Sequence, residues 1–135
     1  MKYRLVIFDF DGTLADSFHW FLGMMDEAAE KFNFKKIDKQ EISSLRSSDA
    51  GKMLKHHRIP FWKVPIVGNY FKKMMGENIR KISLFEGIDD LIKNLSDAGI
   101  ILAVVTSNSY SNVMNVLGQE NLSRINYFEC GVSLF

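Results

Sequence analysis

Asp9 and Asp11 stand two residues apart within Leu5-Val6-Ile7-Phe8-Asp9-Phe10-Asp11-Gly12-Thr13-Leu14. Two carboxylates this close suit a reaction that needs a charged nucleophile, a proton donor and a divalent cation to make the pair tolerable. A hard cation with oxygen ligands, Mg²⁺ for preference, is the natural counter-ion. The same Asp-x-Asp-Gly pattern also opens acidic turns and calcium loops. A calcium loop, however, asks for further oxygen ligands at regular spacing and a glutamate near its twelfth position, and Thr13, Leu14 and Ala15 do not supply them.

The pair must be held by the run before it. Leu5 to Phe8 are four successive apolar residues, which predict a short strand buried on both faces, as in a parallel sheet. Asp9 then falls where the strand runs out, and in an open parallel sheet the crevice outside the carboxyl ends of the strands is where ligands bind. Gly12 frees the backbone to turn back.

A second strand is expected at Ile100-Ile101-Leu102-Ala103-Val104-Val105, stopping at Thr106-Ser107-Asn108-Ser109. These small polar side chains and their amides are suited to cradle an anion where the next helix begins. A hydroxyl in that place is also a common helix cap. Helices are expected from Phe18 to Phe32, where apolar residues recur at helical spacing, and from Ile88 to Gly99. A short one is expected from Asn112 to Gly118, and a third strand over Tyr127 to Val132. Alternating short strands and helices predict a doubly wound α/β sheet.

Between them, residues 17–82 read as an inserted helical module. Asp38-x-x-Glu41 looks like a capping box, Ser47 or Ser48 opens a third helix limited by Pro60, and Pro65 begins a fourth, longer one that Gly68 and Gly76 weaken. The Met and aromatic stripes fit the inside of a helix bundle. Residues 18–82 carry a net +6 and the remainder −5. A basic module beside an acidic one favours a small anionic substrate such as a phosphate ester.

With 47% hydrophobic residues in 135, the chain can bury one core. No basic-aromatic motif points to nucleic acid, and no apolar run is long enough for a membrane span. The single cysteine, Cys130, reads as a small hydrophobe and favours the cytoplasm. His56-His57 reads as surface, since adjacent helical histidines diverge.

In Asp9-Phe10-Asp11-Gly12-Thr13-Leu14, followed by Ala15-Asp16-Ser17, the sequence resembles the haloacid dehalogenase-like hydrolase superfamily, in its phosphoglycolate phosphatase-like branch. The resemblance implies an α/β Rossmann-like parallel core, residues 1–16 and 83–135, with a helical cap over 17–82. It makes Asp9 the nucleophile that takes a phosphoryl group and a Mg²⁺ ligand. Asp11 becomes the acid and base, its backbone carbonyl a second ligand. Phe10 and Gly12 join the phosphate site, as do Thr106, Ser107 and Asn108, with Thr106 the phosphate-binding hydroxyl. Arg46, in the cap, is the expected contact for a substrate anion.

The superfamily's third motif, a lysine or arginine, and its fourth, an acidic pair, are not found before Phe135, so the core is expected to be incomplete. That would leave the first strand as an apolar edge, so the chain is expected to self-associate through it, to rearrange, or to be a fragment of a longer parent. The expected function is Mg²⁺-dependent hydrolysis of a small phosphorylated metabolite through an aspartyl-phosphate, impaired in the chain as it stands. A sugar phosphomutase and a non-catalytic fragment that binds Mg²⁺ or phosphate are the alternatives.

Overall fold

A computed structural model of the chain describes residues 3–36, 38, 41 and 58–132. The expected helices between Asp38 and Pro60, with Arg46, His56 and His57, lie outside the described residues apart from a few positions.

Three strands, β1 (Leu5–Phe8), β2 (Ile101–Thr106) and β3 (Tyr127–Cys130), form a parallel sheet in the order β1-β2-β3. Leu5 lies opposite Ile101 and Phe8 opposite Val104, which in turn lies opposite Phe128. The register therefore puts Val6, Phe8, Leu102, Val104 and Phe128 on one face, and Leu102 and Val104 are fully buried. On the other face the outer strands are exposed, Ile7 at 59% and Tyr127 at 65%, while Ala103 between them is buried.

Burial on both faces, expected for β1, is thus not found. Successive crossovers of one hand, advancing in one direction across a sheet, place their helices on a single face. Strand order reverses nowhere among the described strands, so the second winding of a doubly wound sheet is not seen among them.

The chain divides into two compact units, residues 1–18 with 74–135, and residues 19–73. In the second, helix α1 (Phe18–Phe32) and helix α2 (Val64–Glu77) bring their aromatic faces together. Phe21 and Phe71 stack at 4.7 Å between ring centroids, Phe32 meets Tyr70 edge-on at 5.3 Å, and the Tyr70 hydroxyl donates to Glu27 at 2.6 Å. The apolar stripes are packing surfaces, as their spacing implied.

In the first unit, helix α3 (Ile88–Asp97) packs on β2 with Ile92 fully buried. It ends before Gly99, whose φ of 73° is the left-handed turn that glycine adopts without strain. Segment α4 (Tyr110–Arg124) is helical up to Gly118, the expected end, where the backbone leaves the helical conformation at φ 71° and ψ 165°, and a second helical stretch follows directly. The buried Asn121 then donates to Asp89 of α3 at 2.6 Å, which ties the far half of the helix down.

Candidate active site

The loop after β1 is built around one carbonyl. The Phe10 oxygen accepts from the N–H groups of Thr13 (3.3 Å), Leu14 (3.0 Å) and Ala15 (2.9 Å), and the Gly12 N–H donates to the Ala15 carbonyl at 2.9 Å. Gly12 has a φ of 74°, which a side chain would strain. Phe10, Leu14 and Ala15 are completely buried, so the loop is anchored by its apolar residues while Asp9 and Asp11 face outward.

The loop is also tied to the segment before α3. Asp16 N–H donates to the Ser83 carbonyl at 2.8 Å and Phe85 N–H to the Leu14 carbonyl at 3.0 Å.

Asp11 is gripped from two sides. The Ser17 hydroxyl, itself buried, donates to Oδ1 at 3.0 Å, and the Asn108 amide donates to Oδ2 at 2.8 Å. Although the residue as a whole is exposed, its carboxylate is screened from water enough for desolvation to dominate. Burial raises its pKa above the ordinary 3.8 and repulsion from Asp9 adds to the rise, while the hydrogen bonds from Asn108 and Ser17 oppose it. Its proton therefore leaves less readily than that of an ordinary aspartate, and Asp9 stands near enough for its charge to be felt.

At the end of β2, Thr106 is buried, and its hydroxyl oxygen accepts the Asn108 N–H at 3.1 Å. Accepting there leaves the hydroxyl its own proton to donate. Ser109 caps α4 by accepting the Asn112 N–H at 3.2 Å, and its own N–H donates to Asn108 Oδ1 at 2.8 Å. The amides of Asn108 and Ser109 are thus spent within the loop, which leaves less of the expected anion cradle.

The structure brings Asp9, Phe10, Asp11 and Gly12 to the tip of β1 and joins them to Thr106 through Asn108. Ser107 lies half-buried between those two, and Arg46 lies outside the described residues.

Ser17, close behind the motif and a candidate from the sequence to line the entrance, is directed by the loop onto Asp11. Two participants were not anticipated. Met75 receives an Asn108 amide hydrogen at 2.9 Å from nitrogen to sulfur, and Asn112 donates to Asn108 Oδ1 at 3.0 Å. Neither had a sequence signal beyond a polar residue in the first turn of a helix and a methionine on an apolar face.

For a divalent cation, Asp9 and Asp11 supply hard oxygen donors. Asp16 Oδ1 is buried with no hydrogen-bond partner, a further acidic oxygen in the same loop. Among the described residues no three His, Cys, Asp or Glu side chains gather into a cage. This donor set fits Mg²⁺, which takes one or two carboxylates together with water and substrate phosphate, better than ions that need a full protein shell.

A family model described as haloacid dehalogenase-like hydrolase matches residues 6–133. A phosphoglycolate phosphatase from Synechococcus elongatus is 26% identical over 119 residues, covering 88% of this chain and 56% of the relative. Another, from Haemophilus influenzae, is 26% identical over 127 residues, covering 86% of this chain and 57% of its own length. The chain thus spans little more than half the length of these curated relatives. Among solved structures, CbbY from Rhodobacter sphaeroides in complex with phosphate aligns with a TM-score of 0.68 at 23% identity, over 96% of this chain and 64% of that one. A haloacid dehalogenase-like family hydrolase from Streptococcus pneumoniae aligns at 0.67 and 20%, over 95% and 61%. At these identities the structures establish the likeness of fold.

Proposed function

The chain belongs to the haloacid dehalogenase-like hydrolase family, and from that premise we propose that it carries the nucleophilic half of a phosphatase acting on a small phosphorylated metabolite. The supporting observation is the paired environment of the two carboxylates: Asp9 exposed at the strand tip, Asp11 held by two donors with its pKa raised by burial.

Asp9 attacks phosphorus as the ester oxygen departs. Asp11 gives its proton to that oxygen and then takes one from the water that hydrolyses the aspartyl-phosphate. Thr106 donates its hydroxyl hydrogen to a phosphate oxygen. Phe10, Gly12, Ser107 and Asn108 shape the surroundings, and Arg46 is retained as a proposed substrate contact. Asp9 and the Asp11 backbone carbonyl would hold Mg²⁺, which would supply charge neutralisation when bound.

The likeness to curated phosphoglycolate phosphatases, and to a CbbY solved with phosphate, supports a phosphate ester as substrate. Residues 17–82 are assigned the cap, which selects the substrate and excludes water. No helix among the described residues is long and apolar enough to cross a membrane. The single cysteine fits a reducing compartment, and we place the protein in the cytoplasm.

Self-association is proposed at β1, where Leu5 and Ile7 are exposed.

The deciding experiment is hydrolysis of 4-nitrophenyl phosphate with Mg²⁺ by the chain and its Asp9→Asn variant. Turnover that the substitution lowers by about 10⁴-fold or more supports the reading. Identical traces for the two proteins would remove it.

A further inference from the structure

The side-chain amide of Asn108 has no hydrogen-bonding capacity left. Its oxygen has two lone pairs, and they accept from Ser109 N–H (2.8 Å) and Asn112 Nδ2 (3.0 Å). Its nitrogen has two hydrogens, which go to Asp11 Oδ2 (2.8 Å) and Met75 Sδ (2.9 Å).

The backbone donor at Ser109 fixes which end is oxygen, so the nitrogen must face the carboxylate. The group is 4% exposed and Asn112 likewise 4%. Of these four contacts only that to the Met75 sulfur, a weak acceptor, could be given up cheaply; the other three hold the amide to Asp11 and to the head of α4, as a clamp would.

We propose that Asn108 is a positioning residue for Asp11, itself oriented by Asn112, and that it does not touch the substrate. The proposal rests on reading Asp11 as the proton donor to the leaving group.

The clamp extends into the last turn of α2. A Cβ at Gly76 would stand 3.1 Å from Asn112 Oδ1, so glycine there lets the turn close on the amide pair, with Met75 seated against Asn108. Every contact lies within the unit of residues 1–18 and 74–135.

A clamp on a proton donor matters in proportion to how much the leaving group needs the proton. The test compares an alkyl phosphate with 4-nitrophenyl phosphate, whose phenolate departs unaided, using the full chain with Mg²⁺, Asn108→Ala and the milder Asn112→Ala. In Asn108→Ala, kcat for the alkyl ester should fall about 10- to 100-fold and for the aryl ester less than about threefold, with KM steady for both. Asn112→Ala should show the same split at smaller amplitude. A rise in KM at constant kcat would make Asn108 a substrate ligand and overturn the proposal. Equal losses on both esters would overturn it too.

A second readout is independent of activity. In ¹⁵N-labelled protein, Asp11→Asn should move both side-chain amide proton resonances of Asn108. Should the wild-type chain turn nothing over, the reading of Asp11 as acid fails, and the resonances alone decide whether Asn108 holds it. Unmoved resonances overturn the clamp; moved ones sustain it.

Discussion

Asn108 Nδ2 lies 2.8 Å from Asp11 Oδ2, joining residues 97 positions apart in the sequence. Through this bond the end of β2 sets the orientation of a carboxylate carried on the loop after β1. The two motifs are one device, because the parallel register places both strand ends on the same rim of the sheet.

Proton linkage follows from the environment of Asp11. Its folded-state pKa is raised, so its contribution to stability is full below the unfolded value near 3.8 and is lost as pH rises through the folded value. In EDTA, the stability of the wild-type chain relative to Asp11→Asn should therefore decline across that window. Urea unfolding from pH 3 to pH 7 would check it, and a relative stability that climbs with pH would contradict the burial argument.

Metal removal supplies a second expectation. Mg²⁺ should stabilise the chain by mass action, and Asp9→Asn should weaken its binding about tenfold or more. Thermal unfolding with and without millimolar Mg²⁺ is the measurement. An identical rise in Tm for wild type and Asp9→Asn would place the ion elsewhere.

The central strand offers a test of the fold itself. Asn126 Oδ1 accepts the Leu102 N–H and the Asn126 N–H donates to the Leu102 carbonyl, both at 2.9 Å, so one side chain extends the ladder of β2. Asn126→Ala should cost about 1–3 kcal/mol by orphaning the Leu102 amide. Leu102→Ala, at a fully buried position, should cost about 2–5 kcal/mol. Denaturant titration of both variants would show whether the ordering holds.

Association through the first strand is also measurable. Ile7→Lys places a charge on the exposed face of β1 without disturbing the buried one. Sedimentation velocity should show the wild-type chain concentrating into larger species and the variant remaining monomeric. Two monodisperse monomers would dismiss the proposal.

The two catalytic candidates and the strands that carry them were legible because their signals are local: apolar runs ending in Asp9 and Thr106, and a glycine where the chain turns. The clamp was not. Gly76 reads in sequence only as a weak point in α2, whereas a Cβ there would stand 3.1 Å from Asn112 Oδ1, a relation between segments that no periodicity encodes. Gly118 reads as a helix end and is one; the second helical stretch beyond it, where Asn121 bonds Asp89 of α3, carried no local signal. The bare face of β1 escaped for the opposite reason, since four apolar residues in a row report appetite for burial and not whether a neighbour satisfies it.

The Phe10 carbonyl gathers three successive amides of the nucleophile's loop, the longest from Thr13 at 3.3 Å. Deuterium should therefore enter at Thr13 ahead of Leu14 and Ala15, whose shorter bonds lie among fully buried side chains. The loop that carries Asp11 is then loosest on its solvent side and firmest where it meets the core.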